Sequence, residues 1–308
     1  MVETTPLLDI ATHAILIVGL LLLLGPIYLV VVAASQSLSE VMAIPSRLLP
    51  SDQLLVNIRT AWTESDFATK FVNSLILSAG VVTGKVLIAA ITAFGIVFFD
   101  HRFRMAIFYI VFITLMLPLE VRIVPTYAVA ANALSPFQAI LDWTGLNWLI
   151  EQASGARVEL ELNLLNSYTG LILPLVATAT GTFLYRQFFL TIPDELVEAA
   201  KMDGAGPLRF LTQILMPLSV TNIAALATIM FVYSWNQYLW PLLVTTDPSY
   251  GVVAVELGKL VPSSNTTGGE IPRWNVAMAG TLLVMIPPVL VVIVMQRWFV
   301  RGLINTDK

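Results

Sequence analysis

Few residues in this chain of 308 are of types that do chemistry, and their placement narrows what they can do. With no cysteine there is no thiolate nucleophile, zinc–thiolate site or disulfide framework. The two histidines, His13 and His101, stand far apart at the ends of apolar runs, which argues against a histidine metal site or proton relay. Gly80-Val-Val-Thr-Gly84-Lys85 has the outline of a phosphate-binding loop. It fails, because three residues rather than four separate the glycines and no Ser or Thr follows Lys85. What remains is a small set of polar groups in apolar surroundings. Glu120 and Arg122 lie between Pro118 and Pro125, and a proline-broken segment carrying an acid and a base must face protein or a water-filled cavity, not lipid. Three roles are open to the pair: a mutual ion pair at the outer interface, a structural kink, or a solute route on which Arg122 meets an anion through its planar guanidinium. Trp235, Asn236, Gln237 and Tyr238 are followed by Trp240-Pro241. They form either an interfacial aromatic belt or a cavity wall in which the adjacent amides find partners.

One charge-rich segment interrupts this apolar sequence, Thr191-Ile-Pro-Asp-Glu-Leu-Val-Glu-Ala-Ala-Lys-Met-Asp-Gly-Ala-Gly-Pro207. Thr191 with Asp194 has the spacing of a capping box, Pro193 suits a first turn, and Asp194, Glu195 and Glu198 place anions at the positive end of a helix dipole. Gly204 supplies a left-handed stop, and Gly206-Pro207 opens another helix. The expected product is a short helix with a sharp turn after it, its Ala199 and Ala200 small enough for close approach by a partner. On the residues alone, a well-capped surface connector explains it equally.

The elements that position these groups are membrane helices. Apolar residues are 57% of the chain, charged residues only 12%, and the mean hydropathy is +0.83. Soluble proteins carry about 25% charged residues, and half of that cannot cover a water-facing surface. A net charge of −4 also argues against a nucleic-acid binder. Counting uncharged stretches against the roughly 20 residues a crossing requires predicts an all-α protein with six transmembrane helices, at about 14–34, 71–99, 105–133, 168–190, 211–244 and 274–299. The first is too long for a signal-peptide core and no basic residue precedes it, so it reads as a retained helix. With both termini cytoplasmic, the inner pieces (1–13, 100–104, 186–212, 297–308) hold eight Lys and Arg. The outer pieces, twice as long, hold seven, which favours this orientation. The charge-rich segment at 191–207 then lies in the cytoplasm.

Glu198-Ala199-Ala200, Asp203-Gly204-Ala205, Ile214 and Pro217, placed between the fourth and fifth predicted spans, are similar to the EAA loop of binding-protein-dependent ABC importer permeases. Met216 stands where that pattern has Leu. The stretches Ile113–Pro125, Phe183–Phe189, Trp235–Leu242 and Gln296–Leu303 extend the resemblance over nearly the whole chain, within the glycerol-phosphate branch of that family. The resemblance implies the type I importer permease fold, transport by alternating access, and no catalytic residue in this chain. It implies that Glu198, Ala199, Ala200, Asp203, Gly204 and Ala205 couple the permease to a separate homodimeric ATP-binding subunit that holds the ATP and Mg²⁺. It also implies a second permease subunit, an external substrate-binding protein, and a bacterial inner-membrane location. For the solute path it supports Glu120, Arg122, Trp235, Asn236, Gln237 and Tyr238, with sn-glycerol-3-phosphate as solute. A sugar or oligosaccharide permease of the same family stays open as an alternative. A secondary transporter would be expected to bury acids or histidines in several spans, or to show repeats; one acid, Glu120, and no evident repeat are found. Residues 133–166 resemble an external insertion. Its Trp143 and Trp148, with Asp142, Glu151, Glu159 and Glu161 interspersed and Gly145 and Gly155 as breaks, allow at most two short helices, serving as a cap or as a docking surface.

Overall fold

A computed structural model describes residues 6–45, 47–64, 66–114, 117–177, 179–260 and 273–304. The Asn265-Thr-Thr267 sequon and the last residues of the chain lie outside them. The described residues form helices and no strand: α1 (Pro6–Ser35), α2 (Leu38–Val41), α3 (Leu54–Glu64), α4 (Phe67–Phe98), α5 (Arg104–Ile113), α6 (Leu119–Ala131), α7 (Ser135–Trp143), α8 (Leu146–Ser154), α9 (Tyr168–Val176), α10 (Ala179–Phe189), α11 (Asp194–Met202), α12 (Pro207–Phe210), α13 (Met216–Leu218), α14 (Val220–Trp235), α15 (Leu239–Val244), α16 (Val253–Leu260) and α17 (Trp274–Ile304).

Of the six spans expected from composition, one is expected to be interrupted, and several are broken among the described residues. Among the described residues three helices, Leu8–Ser35, Phe67–Phe98 and Trp274–Trp298, are long and apolar enough to cross a membrane, and two bent pairs raise the number to five. The predicted span 105–133 is divided between α5 and α6. Pro118 takes the N-cap position of α6 with extended backbone (ψ 154°) and has no amide hydrogen to continue the α5 ladder. In the predicted span 168–190, α9 and α10 meet at 46°. The predicted span 211–244 is divided further. Pro207–Leu218 meets Val220–Trp235 at 76°. Pro217 removes one ladder donor there, residues Leu211–Leu215 widen into a π turn, and the Ser219 hydroxyl donates to the Leu215 carbonyl at 2.6 Å.

The chain divides into two compact units. The first holds residues 1–68 and 256–287. Its polar centre is Asn57, whose side-chain amide donates to the carbonyls of Ala34 (2.9 Å) and Gln36 (2.8 Å) while its oxygen accepts from Asn275 at 2.8 Å. These bonds satisfy the carbonyls where α1 ends, and a buried amide with both ends engaged costs little to desolvate. Arg273 and Glu64 form an ion pair that holds the Glu64 carboxyl below the usual carboxylate range. Most of α1 is exposed, its leucines and isoleucines offered to surroundings outside the chain.

The second unit holds residues 69–255 and 288–308 and carries the candidate site. Helix α4 is its spine. A Cβ at Gly80 would lie 2.6 Å from Ile172 Cδ1, and one at Gly84 2.7 Å from Val176 Cγ2, so α9 approaches α4 along a bare stripe. Small residues four apart are the usual means by which membrane helices come this close. That contact explains the two glycines that, in sequence, have the outline of a phosphate loop. At one end of α4, Asn73 donates to the carbonyls of Ser249 (2.7 Å) and Gly251 (2.8 Å) and accepts from the Tyr168 hydroxyl (2.7 Å). Asn166, with φ +52°, accepts from the amides of Thr246 and Asp247, both at 2.8 Å. The connection after α15 is therefore clamped to the starts of α4 and α9.

Residues 133–166 contain two helices of nine residues each, α7 and α8, separated by Gly145 in the left-handed region (φ +74°). The return segment is held by side chains: Asn147 Oδ1 accepts from the Val158 amide and Gln138 Oε1 from the Leu160 amide, both at 2.9 Å. Hydrogen bonds from Asn147 and Arg157 hold the Asp142 carboxyl below the usual carboxylate range. Trp143 is 88% exposed and Trp148 61%.

Candidate functional site

Two places in the second unit gather the groups singled out in the sequence. The first is a cavity of about 530 Å³ whose walls come from α4, the break between α5 and α6, the start of α10, and the end of α14. Glu120, Arg122, Asn236, Gln237 and Tyr238 all line it. They are brought together by breaks. Pro118 turns the chain ahead of Glu120, and α14 ends at Trp235, so that residues 236–238 leave helical geometry before α15 begins. Polar side chains on such interrupted segments are free of the helix ladder and line aqueous space, the usual place for irregular backbone at membrane depth.

The electrostatics differ from a closed ion pair. Among the described residues neither Glu120 nor Arg122 has an ion-pair partner, and Arg122 Nε is buried with no acceptor. The neutralised pair at the outer interface, one of the three readings of this segment, is not formed. The Asn236 amide likewise has no side-chain hydrogen bond among the described residues, and Gln237 reaches only the Tyr233 carbonyl at 3.4 Å. The cavity therefore presents a cation, a carboxylate and two amides with unused hydrogen-bonding capacity, a combination able to hold a small polyhydroxylated anion.

Trp235 does not belong to this wall. It is 1% exposed, edge-on to Phe71 (5.2 Å between centroids) and stacked on Phe231 (5.8 Å). Helical geometry turns successive side chains by about 100°, which sends the indole into the core while Asn236 faces the opening. Among the wall residues absent from the sequence-based set are a cation and an aromatic ring beside it. Lys85 and Tyr233 both line the cavity, the Lys85 ammonium lying 4.6 Å from the Tyr233 ring centroid. The signal for Lys85 was present as the only charge in an apolar run from Phe71 to Phe99. Tyr233 has no such signal.

The second place is α11. Gly204, with φ +71°, ends the helix by donating to the Lys201 carbonyl at 3.0 Å, and the next amide, Ala205, donates to Ala200 at 2.9 Å. This double bond pattern is the Schellman closure that a left-handed residue permits. The start of the helix differs from expectation. Pro193 is the N-cap, and the Thr191 hydroxyl donates to the Phe188 carbonyl at 2.7 Å, so it satisfies the end of α10 rather than capping α11. Glu198, Ala199, Asp203 and Gly204 are exposed. Ala200, expected to share the free flank with Ala199, is instead buried (6% exposed) in a cluster with Phe94, Tyr185, Phe189 and Phe210. The rings of Phe98 and Phe210 meet edge-on at 5.4 Å, and an apolar cavity of about 230 Å³ lies between these rings and α11. The short helix is thus rooted on an aromatic platform through Ala200, with its charged side presented outward.

Residues 85–305 match the family described as binding-protein-dependent transport system inner membrane component. Over its full length the chain is 43% identical to the sn-glycerol-3-phosphate transport system permease protein UgpE of Yersinia pestis bv. Antiqua (strain Antiqua), covering 100% of that protein. The same identity and coverage hold for the protein of that name from Escherichia coli O1:K1 / APEC. Among solved structures, a bacterial ABC transporter involved in the import of the acidic polysaccharide alginate superposes with a TM-score of 0.75 at 20% identity, over 97% of this chain and 99% of the other. The alginate transporter in complex with its pentasaccharide-bound periplasmic protein gives 0.59 at 16%, over 94% and 92%.

The fold and the family are those of a multi-pass membrane permease. The chain belongs to the binding-protein-dependent transport system inner membrane components: it is a transport subunit of an ABC importer in the inner membrane, and not an enzyme.

Proposed function

We propose that this chain is one half of a heteromeric permease that moves sn-glycerol-3-phosphate inward by alternating access, fed by an external substrate-binding protein and driven by a homodimeric ATP-binding subunit. The carrying observation is the 43% identity over the full length of permeases named for that solute. The cavity supports it: Arg122, without a carboxylate partner among the described residues, suits a phosphate, and the amides of Asn236 and Gln237 suit hydroxyls. In this reading α11 is the coupling helix. Glu198, Ala199, Asp203 and Gly204 meet the ATP-binding subunit, and Ala200 and Ala205 carry the resulting movement to the aromatic platform. ATP and Mg²⁺ are bound by that partner.

The test is uptake by proteoliposomes holding the complete complex. Labelled sn-glycerol-3-phosphate should accumulate only with enclosed ATP and loaded binding protein outside, and maltose should not. Uptake without ATP, or of the sugar alone, would overturn the assignment.

The orientation that accompanies this reading puts both chain ends and α11 in the cytoplasm and α7–α8 outside. Reporter fusions at Arg102 and Lys201 should read as cytoplasmic and those at Ser51 and Gly155 as external. A cytoplasmic result at Gly155 would remove α7–α8 from any role in meeting the binding protein.

A further inference from the structure

Lys85 is 4% exposed, yet it lines the same cavity as Arg122. Its ammonium has three N–H donors and no acceptor capacity, and its surroundings engage them weakly. One contact is the Met230 sulfur at 3.3 Å, a poor acceptor, and the other is the face of the Tyr233 ring. No carboxylate pairs with it among the described residues. An ammonium at membrane depth beside a thioether and a ring carries a large desolvation penalty that no described residue offsets with a carboxylate. The cavity wall holds Lys85 and Arg122 against Glu120 alone, a formal excess of one positive charge. A purely structural lysine would be expected to snorkel or to pair with an acid. This one does neither.

We propose that Lys85 and Arg122 together form an anion subsite for the phosphate of a phosphomonoester solute, with Lys85 the residue that makes the cavity selective for a dianion. The inference rests on the solute class proposed above and adds the second cation. A phosphomonoester carries a charge near −2 at neutral pH and three acceptor oxygens, so it uses both a guanidinium and an ammonium. A phosphodiester or a neutral polyol uses at most one. The Tyr233 ring and Met230 hold the ammonium in place without neutralising it, leaving its donors for the solute.

The experiment uses the complete complex with Lys85→Met, close in volume, and Lys85→Arg, which keeps the charge. Assembly is checked by co-purification of all subunits. In proteoliposomes Lys85→Met should take up sn-glycerol-3-phosphate at least about tenfold more slowly, the scale of one charge-assisted hydrogen bond, and Lys85→Arg should recover a substantial part. Independently of which solute is carried, the ³¹P resonance of inorganic phosphate should broaden on titration with the lipid-depleted unaltered complex in alkyl maltoside, and should stay sharp with Lys85→Met. Diethyl phosphate, standing for a lipid phosphodiester, should broaden with neither. Unchanged uptake in an assembled Lys85→Met complex overturns the inference. So does phosphate broadening that is absent from the unaltered complex or equal in the two, and so does broadening by diethyl phosphate alone, which would make this a lipid headgroup site. Failure of the unaltered complex to carry sn-glycerol-3-phosphate would overturn the proposed solute, and the phosphate titration would then decide the subsite alone.

Discussion

Gly204→Trp should abolish solute uptake while the chain still reaches the membrane. Among the described residues nothing lies within 4 Å of where a Cβ at position 204 would sit, so a side chain there starts in open space. Folding is opposed only by the positive φ of +71°, which costs a residue with a side chain about 1–2 kcal/mol. The new ring projects from the end of α11, next in sequence to exposed Asp203 on a helix whose Glu198 and Ala199 are also exposed. If that surface seats in the ATP-binding subunit, a ring there removes close contact over a central patch. Disruption of such a patch costs about 2 kcal/mol or more, roughly thirtyfold in occupancy. Uptake should fall at least that far, measured beside membrane abundance by immunoblot. Gly204→Ala separates the two causes: it bears the same backbone strain without the bulk and should retain most of the uptake. Normal uptake by Gly204→Trp at normal abundance would contradict the coupling role of α11.

Sequence legibility followed physical locality. The body and end of α11 were readable because their determinants are adjacent residues: acids over the first turn, apolar Leu196 and Val197 between polar neighbours, and Gly204 where a left-handed residue closes the helix. Its start was misread because Thr191 has two nearby orphan groups to satisfy, and the carbonyl of Phe188 on α10 wins over the amides of α11. The inward turn of Ala200 was not readable, since it depends on Phe94, which is more than a hundred residues away in the chain. That Glu120 and Arg122 face something other than lipid was legible from an acid and a base on a proline-broken segment, but that they share a cavity with Asn236–Tyr238 was not. Trp235 was not separable from its neighbours, because an indole fits an interface or a core equally well by composition. The long run 211–244 read as one span for a similar reason: hydropathy counts apolar residues and does not register that Pro217 and Ser219 together turn the axis by 76°. Lys85 was visible but unplaceable, because a lone cation gives no sign of which residues on α14 will flank it.

The most direct test of the central claim, that this cavity is the route of an anionic solute, is uptake of sn-glycerol-3-phosphate by an Arg122→Glu complex. The guanidinium is half-buried and has no ion-pair partner among the described residues, so reversing its charge breaks no internal ion pair that would unfold the wall. Two unit charges about 4 Å apart interact by about 4 kcal/mol at an effective dielectric constant near 20, and reversal replaces that attraction with repulsion. Uptake should therefore fall by at least about a hundredfold, equivalent to about 2.7 kcal/mol, in a complex that co-purifies with all its partners. Arg122→Lys, which keeps the charge and loses the planar fork, should lie between. An assembled Arg122→Glu complex that takes up the solute at the unaltered rate would place the solute path elsewhere.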